Sequence, residues 1–189
     1  QWGYLGASDQ GITTTSDVTF NTITGSGIEI TGVLQTPNGI VLNSNTVTGN
    51  KTSVTLNNYE EGTWTPVIDG ATSVTGQSYS RQEGKYTRIG NMVTAWFCIE
   101  LTDKGTIAGF LRISGLPYGG TSNPILAPAS VAWSNMSMTA GHQLAAQQYS
   151  TNPFMYLYEM DVSGEQTQIS TGAINDTTVI NGTLTYMIA

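Results

Sequence analysis

Few side chains in this sequence carry reactive chemistry, and they do not cluster. Its 189 residues include one histidine, His142, and one cysteine, Cys98. A Ser/His/Asp triad would have to assemble around His142, and no Gly-x-Ser-x-Gly elbow accompanies it. Zinc needs several nitrogen or sulfur ligands, which one His and one Cys do not supply. Cys98 reads as a small buried hydrophobe that cannot close an internal disulfide. His142 reads as a loop or interface residue. Gly25-Ser-Gly27 lacks the lysine and the helix of a phosphate loop, and no Asp-x-Asp-x-Asp calcium loop is present. No catalytic residue, metal or cofactor is expected.

Glycoside cleavage requires two carboxylates roughly 5–10 Å apart. Glu159 and Asp161 sit on one side of an expected strand, separated by about 7 Å at two residues' rise. Any strand with acids at i and i+2 meets that spacing, so a solvated strand face is the simpler reading. Glu60-Glu61 fit a role in capping the turn into Trp64. Sugar binding without cleavage needs aromatic platforms beside amides and hydroxyls. Tyr118, Trp133, Tyr149 and Tyr156 are the candidates, with ordinary core packing as the alternative fate of such rings.

Composition narrows the partners. Charged residues make up 10% of the chain, against about 25% in an average protein. Six Lys+Arg against 13 Asp+Glu give a net charge of -7, and no basic stripe exists to release counterions from nucleic acid. No run of 18 apolar residues is present, so no helical membrane insertion is expected. The chain opens on Gln1 without a signal-peptide apolar region. It is expected to be the C-terminal piece of a longer protein.

Two textures divide the chain near Asn57–Glu61. Residues 1–58 read as a β-rich stalk and residues 59–189 as a head. From residue 8 to 58 the only charged side chains are Asp9, Asp17, Glu29 and Lys51. Short apolar beads alternate there with turn residues, among them Val18, Phe20, Ile28, Ile30, Ile40 and Leu42. Beads this short make hairpins that are marginal alone. Three intertwined copies would bury those side chains and pair the strand edges, so a homotrimer is expected.

In the head, period-2 strands are expected at 92–101, 110–114, 130–138, 153–162 and 183–189. Phe154, Tyr156, Tyr158 and Met160 share one face of the fourth. Turns are expected at Asp103-Lys-Gly105, Gly115, Ser163-Gly164 and Asn181-Gly182. Residues 140–149 could hold a helical turn or two. Short strands with such turns predict an all-β head, an antiparallel jelly-roll-like sandwich. The second face of the 92–101 strand carries Met92, Trp96 and Cys98. That is too apolar for water and fits a trimer contact through Met92 and Trp96.

Asn58-Tyr-Glu-Glu-Gly-Thr-Trp-Thr-Pro66, with Gly84-Lys-Tyr-Thr-Arg-Ile-Gly-Asn91, resembles the C-terminal domain of bacteriophage tail-fibre and related virion fibre proteins. Ile113-Ser-Gly-Leu-Pro117 and Leu184-Thr-Tyr186 are similar to later pieces of that pattern. The resemblance implies a trimeric, β-rich virion protein, often used in host attachment, that joins other virion proteins through a part preceding Gln1. It implies no catalytic residue. Within the motif, Gly62 and Pro66 bracket Trp64, which reads as a structural anchor.

The expected function is therefore a virion fibre tip that trimerises and binds a bacterial surface receptor, such as a polysaccharide. A purely structural fibre tip, or a capsid or baseplate decoration protein, is the alternative. A glycan depolymerase using Glu159 and Asp161 is a distant third.

Overall fold

The computed structural model describes residues 40–41, 55–56, 58–121, 126–149 and 151–188. The upstream contact residues Val18, Phe20, Ile28, Ile30 and Leu42, and the side chain of Ile40, lie outside the described residues. Two short strands, β1 (Ile40–Val41) and β2 (Thr55–Leu56), pair antiparallel with each other.

The head is a ten-stranded antiparallel sheet. Its strands are β3 (Glu60–Trp64), β4 (Val67–Gly70), β5 (Ser78–Ile89), β6 (Met92–Asp103), β7 (Leu111–Ser114) and β8 (Ala127–Met136). Then come β9 (Gln143–Gln148), β10 (Phe154–Met160), β11 (Gln166–Gln168) and β12 (Ile174–Met187). They are ordered β3-β5-β6-β12-β8-β9-β10-β7-β4, and β11 adds to β10. The two ends of that path, β3 and β4, are joined by Thr65-Pro66 alone. A two-residue link forces the end strands together, so the sheet must curl round one core.

Alternation fills that core. On β6, Val93, Ala95, Phe97, Ile99 and Leu101 are all buried, as the period-2 reading requires. Ile180, Leu184 and Tyr186 from β12, Met155 and Leu157 from β10, and Ile113 from β7 complete it.

Two expectations are corrected. Residues 140–149 hold no helical turn, since Gln143–Gln148 is β9, paired with β8 and β10. Ala and Gln have helical preference in isolation, but the open slot between two strands overrides it, turning Ala146 and Gln148 inward. Asn181-Gly182 is no turn either. It lies inside β12, where Gly182 faces Phe97 of β6 and a β-carbon would stand 2.5 Å from the Ser130 carbonyl oxygen. Close backbone approach, and not a chain reversal, is what that glycine serves. The motif glycine Gly84 lies inside β5, which begins at Ser78 and passes straight through it.

Candidate functional site

The residues with binding chemistry gather on the outer side of β10. With Met155 and Leu157 turned into the core, alternation sends Phe154, Tyr156 and Tyr158 outward, each half-buried. Their rings meet edge to face, with centroids 5.2 Å apart for Phe154–Tyr156 and 6.5 Å for Tyr156–Tyr158. Cross-strand register supplies polar neighbours. Tyr156 lies between Gln147 of β9 and Arg112 of β7, and Tyr158 between Ala145 of β9 and Gln168 of β11.

Arg112 is fixed from several sides. Its guanidinium carbon lies 4.6 Å from the centre of the Phe154 ring. Its Nε donates to Asp69 Oδ1 at 2.9 Å and its terminal amine to the Gly70 carbonyl at 3.2 Å. The Ser114 hydroxyl donates to the other Asp69 oxygen at 2.7 Å. Asp69 is buried, so this pair is shielded from solvent and holds the guanidinium in one plane. The result is a rigid strip of three rings edged by a guanidinium and side-chain amides.

Of the four sequence-derived binding residues, Tyr156 is at the centre of this strip. Tyr149 follows the last β9–β10 pair, Gln148 with Met155, at the hairpin end where Phe154 begins, and is 53% exposed. The other two are elsewhere. Trp133 on β8 pairs with the buried Ile180 of β12, which puts it on the core-facing side at its exposed margin.

Tyr118 belongs to a different cluster. It and Tyr86 both donate their hydroxyls to the Glu60 carboxylate, Tyr118 at 2.5 Å. Arg88 lies over the Tyr118 ring, 5.2 Å from its centre. The two phenols hold the Glu60 carboxyl below its ordinary range. Glu60 thereby ties β3 to β5 through Tyr86 and to the 117–121 loop through Tyr118.

The motif residues are packing elements. Trp64 is buried, and its indole N–H reaches the carbonyls of Trp96 at 3.1 Å and Lys85 at 3.2 Å. Its ring lies over Gly84, where a β-carbon would stand 2.6 Å from the indole nitrogen. Gly62 likewise faces the Tyr86 ring. Pro66 is fully buried, and its carbonyl accepts from Gln82 at 3.0 Å.

The outer side of β5, β6 and β12 is different in kind. Ile89, Met92 and Met187 stand in one cross-strand row and are 43%, 42% and 37% exposed. Trp96, 44% exposed, stands two rows away between Lys85 and Thr183. The apolar second face expected of this strand is therefore open in the single chain.

Glu159 and Asp161 are not a free pair of acids. Asp161 Oδ1 accepts from the Ser163 N–H at 2.8 Å, the Ser163 hydroxyl at 2.7 Å and the Glu165 N–H at 2.9 Å. Those bonds close a turn and lower its pKa. Glu159 accepts from the Thr139 N–H at 3.0 Å and is also lowered, chiefly through hydrogen bonding to Thr139. A general acid needs a raised carboxyl, and both of these are shifted the other way.

Phe154, Tyr158 and Arg112 were not among the sequence-derived binding residues. The ring spacing was visible as i, i+2 alternation. The Arg112–Asp69 pairing spans 43 residues and has no local signal.

No protein-family model and no curated protein matches the chain. Among solved structures, the chain is similar to the crystal structure of Dettilon tailspike protein, with a TM-score of 0.51 and 18% identity. The match covers 67% of this chain and 23% of the tailspike's length. What the two share is an all-β fold.

Proposed function

We propose that this chain is part of a bacteriophage tail-fibre or tailspike-type virion protein, that it acts as a homotrimer, and that its head binds a bacterial surface polysaccharide through the outer side of β10. The observation that carries the binding reading is the strip Phe154–Tyr156–Tyr158 with Arg112 locked beside it. Sugar rings stack their apolar C–H faces on aromatic rings, while hydroxyls need fixed polar partners at the rim. A strand presents alternate side chains about 6.8 Å apart, so an extended glycan lying along β10 would meet one ring after another. The tailspike likeness in fold and the Tyr59–Asn91 motif support the virion setting.

Binding without cleavage is the reading for this surface, because the two acids of β10 and its turn are held ionised. Attachment of fluorescent protein to a panel of bacteria bearing defined surface polysaccharides tests it. Saturable attachment that falls with Tyr156→Ala supports the proposal. Attachment to no strain tested, by the wild-type protein, would leave the second reading.

That second reading is a structural head that only closes a trimeric fibre, and one observation favours it. Exposed Ile89, Met92, Trp96 and Met187 form the kind of apolar surface that marks a protein contact. Subunit contact through β5, β6 and β12 and glycan contact through β10 use different strands, with β8 and β9 between them in the strand order, so both can hold in one trimer.

A further inference from the structure

The flanks of β10 are as informative as its rings. By alternation, β9 turns Gln143, Ala145 and Gln147 to the ring side along one edge, and β11 turns Gln166 and Gln168 to it along the other. Register sets these side chains in rows. Gln143 and Gln166 stand on either side of Met160, Ala145 and Gln168 on either side of Tyr158, and Gln147 and Arg112 on either side of Tyr156. Gln143 and Gln166 are exposed, and Gln147 and Gln168 half-buried. Among the described residues, no hydrogen bond within the chain occupies any of these four side-chain amides.

Charge on the same side is cancelled. The strands β9, β10 and β11 carry one charged side chain between them, Glu159, and it alternates to the other side. The charged side chains of β7 and β4 are Arg112 and Asp69, which face each other across the strands and are bonded at 2.9 Å. Their side chains are 16% and 7% exposed, so the two charges are satisfied together at the rim. An anion brought to Arg112 would meet the Asp69 carboxylate behind it in a poorly solvated space. A cation would meet the guanidinium.

Resting on the glycan-binding reading of β10, we propose that this side selects uncharged glycans, chains of neutral hexoses or N-acetylhexosamines, and rejects uronic, sialic and phosphorylated ones, because Asp69 cancels Arg112. An amide offers both donors and acceptors, which suits a hydroxyl that is itself both. The rings take the apolar C–H faces of the same sugars. A carboxylate or phosphate on the chain would lose water and gain no free cation in return.

The test is an array of purified capsular and O-antigen polysaccharides, neutral and acidic, probed with the full chain. Wild type should bind neutral members only. Oxidising the primary hydroxyls of a bound member to carboxylates should weaken binding about tenfold or more. Reducing those carboxyls back to alcohols should restore it, which excludes chain breakage as the cause. Asp69→Asn keeps an acceptor for Arg112 and frees its charge, so it should bind the oxidised polymer several-fold more tightly than wild type does. If that variant does not fold, wild type on the native, oxidised and restored polymers still decides. Wild-type binding to acidic members that is lost in Tyr156→Ala overturns the charge selection and leaves binding at β10 in place. Equal binding of native and oxidised polymer does the same, as does a folded Asp69→Asn with no gain on the oxidised one. Binding that survives in folded Tyr156→Ala, or no binding by wild type to any member, overturns both.

Discussion

Gly62 of β3 lies directly opposite Tyr86 of β5, and a β-carbon on residue 62 would stand 2.6 Å from the phenol ring. Two residues further along the same pair of strands the roles reverse, with Trp64 of β3 lying over Gly84 of β5. Each glycine gives its cross-strand partner a flat floor, and each ring covers backbone that a glycine leaves bare. This interlock seats the first strand of the head, and it accounts physically for the Gly-Thr-Trp-Thr-Pro run and for the glycine before Lys85.

The interlock predicts an asymmetry among glycines. Gly84→Ala should destabilise the head by about 1–3 kcal/mol, because the indole of Trp64 must leave its place. Gly172→Ala, whose new β-carbon would meet nothing closer than 3.4 Å, should stay within about 0.5 kcal/mol of wild type. Urea denaturation of the three proteins measures both.

Trp64→Ala should cost about 3–5 kcal/mol, the usual range for emptying a buried aromatic site. Trp64→Phe restores part of the volume but leaves the Trp96 and Lys85 carbonyls without the indole donor. It should fall between wild type and alanine in thermal unfolding.

The Glu60 cluster sets part of the acid stability. Hydrogen bonds from Tyr118 and Tyr86 hold its folded pKa below the ordinary value of 4.5. A group depressed on folding adds stability above its unfolded pKa and loses it as pH falls through the folded one. Its contribution is therefore complete at neutral pH and disappears in acid below 4.5. Glu60→Gln should flatten the fall of melting temperature in that window, in part only, because Glu159 and Asp161 are depressed too. Tyr86 is shifted the opposite way, raised above 10.0 chiefly by Glu60. Its contribution is complete below 10.0 and is lost in stronger alkali, so Tyr86→Phe should soften the alkaline limb.

The proposed trimer contact through β5, β6 and β12 predicts that Met92→Asp weakens association without unfolding the head, since Met92 is already open to solvent in the single chain. Native mass spectrometry across a dilution series should show the variant losing the three-chain species at higher concentration than wild type. Equal dilution behaviour would move the contact elsewhere.

How much of this was legible depends on distance along the chain. The alternation of residues 92–101 places β6 and its buried side directly, and the i, i+2 rings of 154–158 announce the outer strip. Both signals are local. Residues 143–148 failed for the opposite reason, since Ala and Gln carry no strand preference and their state is set by the slot between β8 and β10. Gly182 looks like a turn to its neighbours in sequence, while its real constraint is the Ser130 carbonyl on another strand. Arg112 beside Phe154, and Tyr118 bound to Glu60 from 58 residues away, exist only once the sheet has curled. Local pattern identifies rings and strands, and the register decides which of them meet.

The most direct test of the account is binding of the full-length chain to an array of bacterial capsular and O-antigen polysaccharides, beside the Tyr156→Ala and Trp96→Ala variants, with folding checked by thermal melting. The account predicts saturable binding of wild type to a subset of polysaccharides, lost in folded Tyr156→Ala and kept in Trp96→Ala. Binding that survives Tyr156→Ala and disappears in Trp96→Ala would contradict it and move the receptor site to the β5–β6–β12 side.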